Sequence, residues 1–151
     1  MAGFALTIRV AEARDVEAIA RLLADDAIGA TRESPGDPAY AEAFARMAEQ
    51  SGNVYLLAEA AGDLVGCLQY TLIHGLSRMG AARAQIEGVR VAASARGQGI
   101  GEALFRAAFA RAQDDRASLV QLTTDRDRED ALRFYERLGF EATHWGMKRL
   151  L

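Results

Sequence analysis

The chain has one cysteine, one lysine and two prolines, and nowhere a run of the roughly 18 apolar residues that a membrane-spanning helix requires. Each scarcity closes a class of explanation. With Cys67 alone there is no internal disulfide, and a reducing compartment, the cytoplasm, is the expected setting. His74 and His144 are the only histidines and neither has further ligands at metal-binding spacing, so no metal is expected. Lysine and arginine total 18 against 21 aspartates and glutamates, a formal net charge of -3. No basic cluster offers the footprint that nucleic acid demands, so no nucleic-acid partner is expected. The N-terminal stretch "MAGFALTIRVAEARD" is broken by Arg9 and Glu12 and shows neither an export signal nor an anchor, so no membrane association is expected either. Repeats, linkers and low-complexity segments are also missing.

What is present is the balance of a folded globule. Half of the 151 residues are hydrophobic and 26% are charged, which suits one domain, 1–151, with a full core. "ALTIRVA" (5–11) alternates apolar and polar residues and predicts a first strand. Ala18, Ile19, Leu22, Leu23 and Ala27 then recur at helical spacing behind Asp15, a predicted N-cap. "GATRESPGDPAY" holds both prolines and two glycines and reads as a loop before a second helix over 38–50. "NVYLLAEAAGDLVGCLQYTLI" predicts two strands joined by "AAGD", and "HGLSRMGAAR" connects them to a further strand, "AQIEGVRVA".

A long helix with Ile100, Ala103, Leu104, Ala107 and Ala108 on one face comes next. "ASLVQLTTD" predicts a strand buried on both faces. "REDALRFYERLGF" predicts a helix started by Asp127 or Asp130 and ended by a left-handed Gly139. "ATHWGMKRL" predicts a last strand with Trp145 and Met147 in the core. The order β-α-α-β-β-β-α-β-α-β predicts an α+β (mixed α/β) fold, a mixed sheet of about six strands with about four helices, and a βαβ unit over 84–123 whose strands run parallel.

Between strand and long helix lies "ARGQGIGEALF", with Gly97, Gly99 and Gly101 on alternate positions. Glycine is the poorest ordinary helix former, so bare backbone at a helix start asks for a reason. Helix starts expose unpaired N–H groups at the positive end of the dipole, and a glycine loop there suits an anion. A tight turn would use the same residues. The Walker loop is excluded because Glu102, rather than Lys followed by Ser or Thr, comes after Gly101. The dinucleotide fingerprint fits poorly: Gly101 follows Gly99 by two residues instead of three, and "AASAR" separates the strand from Gly97, although Asp125 imitates the acidic partner.

The run Arg96, Gly97, Gln98, Gly99, Ile100, Gly101, behind a strand ending "GVRV" and ahead of "ALRFYERLGF", closely resembles the GNAT superfamily of N-acetyltransferases over residues 84–140. The resemblance implies a GNAT-like sheet and acetyl-coenzyme A as cosubstrate. It places the pyrophosphate on backbone N–H groups of residues 96–101 and the pantetheine arm against the backbone of Val89, Arg90 and Val91. The Val89 N–H would meet the thioester carbonyl as negative charge develops there.

Glu87 stands where many members place the general base. An amine of pKa near ~10 must lose a proton before it attacks a thioester, and a carboxylate in an apolar strand is costly unless it has a task or a partner. A solvent-facing or salt-bridged glutamate is the alternative. Tyr135 matches the tyrosine that protonates the departing thiolate, and it fits a core aromatic equally well, four residues after Ala131. Arg128 departs from the pattern: the family commonly has Asn there in contact with the cofactor, whereas arginine would reach a phosphate.

The expected activity is therefore transfer of an acetyl group from acetyl-coenzyme A to a primary amine of a small molecule or peptide, by direct attack in a ternary complex. The acceptor is expected between residues 29–40 and 74–83, with His74 nearby, and an acidic chain favours cationic acceptors. A non-catalytic acyl-coenzyme A binding or sensing module, with Glu87 and Tyr135 structural, is the second expectation, and a nucleotide-binding domain the third. Acceptor and oligomeric state, a homodimer included, stay open.

Overall fold

Alternating side chains build a five-stranded sheet whose neighbours follow chain order: β1 (Leu6–Val10), β2 (Asn53–Ala60), β3 (Asp63–Ile73), β4 (Arg83–Val91) and β5 (Leu119–Leu122). The computed structural model describes residues 5–151, so the first four residues of the N-terminal stretch lie outside the description. The first three pairings are antiparallel and β4 runs parallel to β5, as the predicted βαβ unit requires. β2 turns into β3 through Ala61 and Gly62 at φ 53° and 90°, the two left-handed positions that match a two-residue hairpin to strand twist. Helices α1 (Val16–Leu23), α2 (Ala39–Ala48), α4 (Ile100–Asp114) and α5 (Glu129–Arg137) are the predicted four. A four-residue turn, α3 (Ser77–Gly80), with Arg78 and Met79 in left-handed conformation, lies inside the 74–83 connection. The fold is α+β, and no described helix is long and apolar enough to cross a membrane.

The larger core lies between the sheet and α4. Leu56, Leu68, Tyr70, Ala84 and Ile86 meet Ile100, Leu104, Phe105 and Ala108, all buried. Gly66 sets the distance: a Cβ there would stand 2.9 Å from Ile100 Cγ2 and 3.0 Å from Leu104 Cδ1, so α4 rests directly on β3. Phe105 anchors an aromatic cluster with Phe109, Phe134, Tyr135 and Phe140, which fastens α5 to α4. On the opposite face, Ile19 and Leu22 of α1 cover Leu57 and Cys67.

Several expectations are corrected. Residues 142–150 form no strand, so the described sheet has five strands instead of six, and Trp145 and Met147 are 80% and 93% exposed instead of core. The reason is the edge on offer: β5 has only four residues, and Trp145 packs under the Arg126 guanidinium, 4.7 Å from its ring centre. None of the β5 residues is fully buried, since β5 is an edge. Asp15 occupies the N-cap position of α1 without capping it; its carboxylate accepts from the Glu12 N–H at 2.8 Å and from Arg9 at 2.7 and 2.8 Å. Arg128, not Asp127 or Asp130, is the α5 N-cap residue. Gly139 does end α5 at φ 89°, with Phe140 N–H bonded to the Tyr135 carbonyl and Gly139 N–H to that of Glu136.

Arg9 also donates to Glu59 at 2.6 Å, so one guanidinium ties β1 to β2 and to the entrance of α1. Hydrogen bonds from Arg9 outweigh burial and hold the Asp15 carboxyl down at about 2, from 3.8. A lowered carboxyl contributes stability that is complete above its unfolded value and is lost as pH falls through its folded value. Asp15→Asn is therefore expected to lose about 2 kcal/mol at pH 7, and urea titrations should show the difference from the parent vanishing toward pH 2.

Candidate active site

β4 outlasts its parallel neighbour. It pairs with β5 only from Arg83 to Ile86, and from Glu87 to Val91 that side of the strand has no partner among the described residues. A bulge falls at the same place. The β3–β4 register slips between Cys67 and Gln69, and Gly88 takes φ 60°. Ile86, Val89 and Val91 consequently face the α4 core, while Cys67 pairs with Arg90 and Gln69 with Glu87 on the α1 side. A regular strand would put residues 87 and 90 on opposite faces. Glycine is needed at the slip, since a Cβ on Gly88 would stand 3.2 Å from the Tyr55 hydroxyl.

Beyond β4 a turn over Ala93–Ala95 leads into the glycine loop. Gly97 and Gly99 adopt φ 75° and 78°, with nothing within 4 Å of where a Cβ would stand. Gly99 is the α4 N-cap, so the N–H groups of Ile100, Gly101 and Glu102 have no intrahelical acceptor. Gly101 has a different reason to be bare: its Cβ would lie 3.1 Å from Phe134 Cζ. The side chains of Arg96 and Gln98 brace this backbone. Arg96 donates to the carbonyls of Val91 and Asp25, both at 3.3 Å, and Gln98 to that of Ser94.

Glu87 is exposed and forms no ion pair among the described residues, so the salt-bridged alternative is not what the fold contains. Tyr55 lies two strands away in the same row. Burial first, then Cys67 and the carboxylates of Glu33 and Glu87, push its hydroxyl upward. Tyr135 packs its ring at 5.7 Å from Phe105 and 5.4 Å from Phe134, and no described residue hydrogen-bonds its hydroxyl. Burial raises this phenol too, while the charges of Arg128 and Arg90 pull the other way. Arg128 itself is exposed at the start of α5.

The Arg90 side chain is engaged on the α1 side. Its Nε lies 3.1 Å from Asp26 Oδ2, and its Nη1 donates to the Val89 carbonyl at 2.9 Å. Burial works to raise Asp26, but the Gly29 N–H and the charges of Arg90 and Arg128 outweigh it and hold the carboxyl below its ordinary range. Glu33 is lowered against burial in the same way, accepting from Arg32 at 3.0 Å and from the Tyr40 hydroxyl at 2.9 Å. Burial pushes the Cys67 thiol up to about 12 and keeps it a small apolar group. Asp26, Glu33 and Tyr55, which lie near Arg90 and Glu87, are residues that sequence reasoning did not single out. Glu33 was one charge inside the proline loop and Asp26 one just ahead of it, and the strand register that aligns Tyr55 with Glu87 is not a sequence property. Among the described residues no cluster of His, Cys, Asp and Glu has metal-holding geometry.

An open strand edge that runs into a helix start whose N–H groups have no intrahelical acceptor suits an extended molecule with an anionic end. The Acetyltransferase (GNAT) family model matches residues 16–140, and the chain belongs to this family. The transcriptional regulator from Bacillus halodurans C-125 is 44% identical, with a TM-score of 0.92 over 97% of this chain and 99% of that one. An acetyltransferase from Trypanosoma brucei is 29% identical, with a TM-score of 0.81 over 97% and 99%. Mycothiol acetyltransferase from Pseudarthrobacter chlorophenolicus is 38% identical over 93 residues, which are 62% of this chain and 28% of that protein.

The loop's left-handed backbone gives a direct test. Gly99→Ala puts a Cβ on a positive φ and is expected to cost about 1–2 kcal/mol. Calorimetry should show a fall in Tm of about 2–8 °C for a chain of this size.

Proposed function

We propose that the chain, as one acetyltransferase domain over 1–151 acting in the cytoplasm, transfers an acetyl group from acetyl-coenzyme A to a primary amine of a small molecule or peptide, by direct attack in a ternary complex. The observation that carries this reading is the strip of unpaired β4 backbone, Glu87 to Val91, leading to the bare α4 N-terminus. Val89, Arg90 and Val91 would line a pantetheine arm, the N–H groups of residues 96–101 would hold a pyrophosphate, and Arg128 would reach a phosphate from the side. The open space at Gly97 and Gly99 fits such a group. When bound, acetyl-coenzyme A supplies the acetyl group already activated as a thioester.

The chain's own residues then manage protons. Only about one part in a thousand of an ordinary amine is unprotonated at pH 7, so Glu87, exposed and unpaired, accepts the ammonium proton directly or through water. Tyr135, kept protonated by burial, donates to the departing thiolate. The acetyltransferases among the relatives support this reading.

Two observations favour a second reading. Arg90 already donates to the Val89 carbonyl, and the 44% identical relative is a transcriptional regulator, which suits a domain that binds acyl-coenzyme A without turning it over. Thiol release from acetyl-coenzyme A over a panel of amines separates the two. Release with any amine supports the enzyme; a raised Tm with coenzyme A and no release with any amine supports the sensor.

Two variants follow from the enzyme reading. Glu87→Gln should lower kcat/KM by about 100-fold or more, most strongly at low pH, where free amine is scarcest; equal rates there would remove Glu87 from the role. Tyr135→Phe should slow thiol release by about tenfold or more while titration calorimetry shows coenzyme A binding retained. Unfolding of that variant would instead identify Tyr135 as a core aromatic only.

A further inference from the structure

The α1 side of the sheet changes character along its strands. Beneath α1 it is apolar, with Leu57 beside Cys67. The next row holds Tyr55, Gln69 and Glu87, one residue from each of β2, β3 and β4. The row after that runs through Asn53, Thr71, Gln85 and Gln121, in register across four strands. At a strand spacing of about 4.8 Å the outer row is about 14 Å long. None of these side chains is fully buried.

A face that only meets water would be served as well by charged groups, which make up 26% of the chain. The outer row has none. The whole chain has six glutamines and one asparagine, and four of these seven carboxamides sit in the two rows. They are also fixed by one another. Gln69 Nε2 and Thr71 Oγ1 donate to Asn53 Oδ1 at 2.9 and 3.3 Å, Asn53 Nδ2 donates to Gln50, and Gln121 Nε2 donates to Gln85 Oε1 at 2.7 Å. Gln69 Oε1 and Gln121 Oε1 are left as acceptors and Gln85 Nε2 as a donor, without partners among the described residues. A hydroxyl, donor and acceptor in one group, matches such a mixture.

We propose that this carboxamide platform holds the body of the acceptor, and that the acceptor is a small polyhydroxylated primary amine whose ammonium group lies at Glu87. The inference rests on the acetyl-transfer reading and names its substrate class. Charge sets the direction: the outer row is neutral, Arg83 stands one row beyond it on the same face, and the inner row holds the Glu87 carboxylate, which suits a cationic head placed at Glu87 on an uncharged body. An extended peptide would pair its backbone with a strand edge, whereas these groups stand on the sheet's face.

Steady-state thiol release with glucosamine, cyclohexylamine and alanine tripeptide tests this. Glucosamine is expected to exceed both others in kcat/KM by about tenfold or more. The double variant Gln85→Leu, Gln121→Leu should lose at least about fivefold more on glucosamine than on cyclohexylamine, through KM. If that variant does not fold, Gln121→Ala reads the same ratio. Equal or better turnover of cyclohexylamine or the peptide, or an unchanged ratio in the variants, overturns the platform and leaves acetyl transfer standing. Coenzyme A binding with no turnover of any amine overturns the transfer reading and this inference with it.

Discussion

Everything at the cleft depends on a mismatch of length. β4 has nine residues and its parallel partner β5 four, so β4 runs beyond the end of its ladder with one side unpaired. α4 must carry the chain from the end of β4 back to the start of β5, so its N-terminus has to lie at the carboxyl ends of the parallel pair. The mismatch and the crossover together bring two kinds of unsatisfied backbone to one place: a strand edge and a helix start. β5 cannot extend to close the gap, because Thr123, Thr124 and Asp125 follow Leu122 and the chain turns there into α5. α5 is itself required where it lies, since Phe134 and Tyr135 complete the aromatic cluster on Phe105.

The glycines around this gap solve separate problems. Gly97 and Gly99 supply left-handed φ values in open space, which keeps the loop backbone uncovered. Gly101 faces inward and makes room for Phe134, which couples the start of α4 to α5. Gly66, far away in sequence, lets α4 sit on β3. The alternate spacing of 97, 99 and 101 is thus two surface requirements and one packing requirement that happen to fall in one run.

Local regularities were legible in the sequence, and pairings were not. Helical periodicity located α1, α2, α4 and α5, and the Ala-Gly turn and Gly139 located a hairpin and a helix end, because these are properties of neighbouring residues. The alternation in 142–150 is equally local, yet a strand needs an edge to pair with, and four residues of β5 do not provide one. The same limit applies to the site. Glu87, Tyr135 and the glycine loop carried a motif, whereas the Arg90–Asp26 pair, Glu33 and Tyr55 meet only through strand register and a loop closure that no spacing encodes.

The bulge at Gly88 shows why register matters more than composition here. Before it, even-numbered β4 residues, Ala84 and Ile86, enter the α4 core; after it, odd-numbered ones, Val89 and Val91, do so. One extra residue keeps apolar side chains on the core side throughout while delivering both Glu87 and Arg90 to the opposite face. Without the slip, Arg90 would face the core and Asp26 would lose its partner, or the valines would turn to water. The polar rows of the α1 face and the dry core beneath α4 are therefore not independent designs. They are two sides of one sheet whose parity is switched at a single glycine at φ 60°, where a Cβ would crowd the Tyr55 hydroxyl at 3.2 Å.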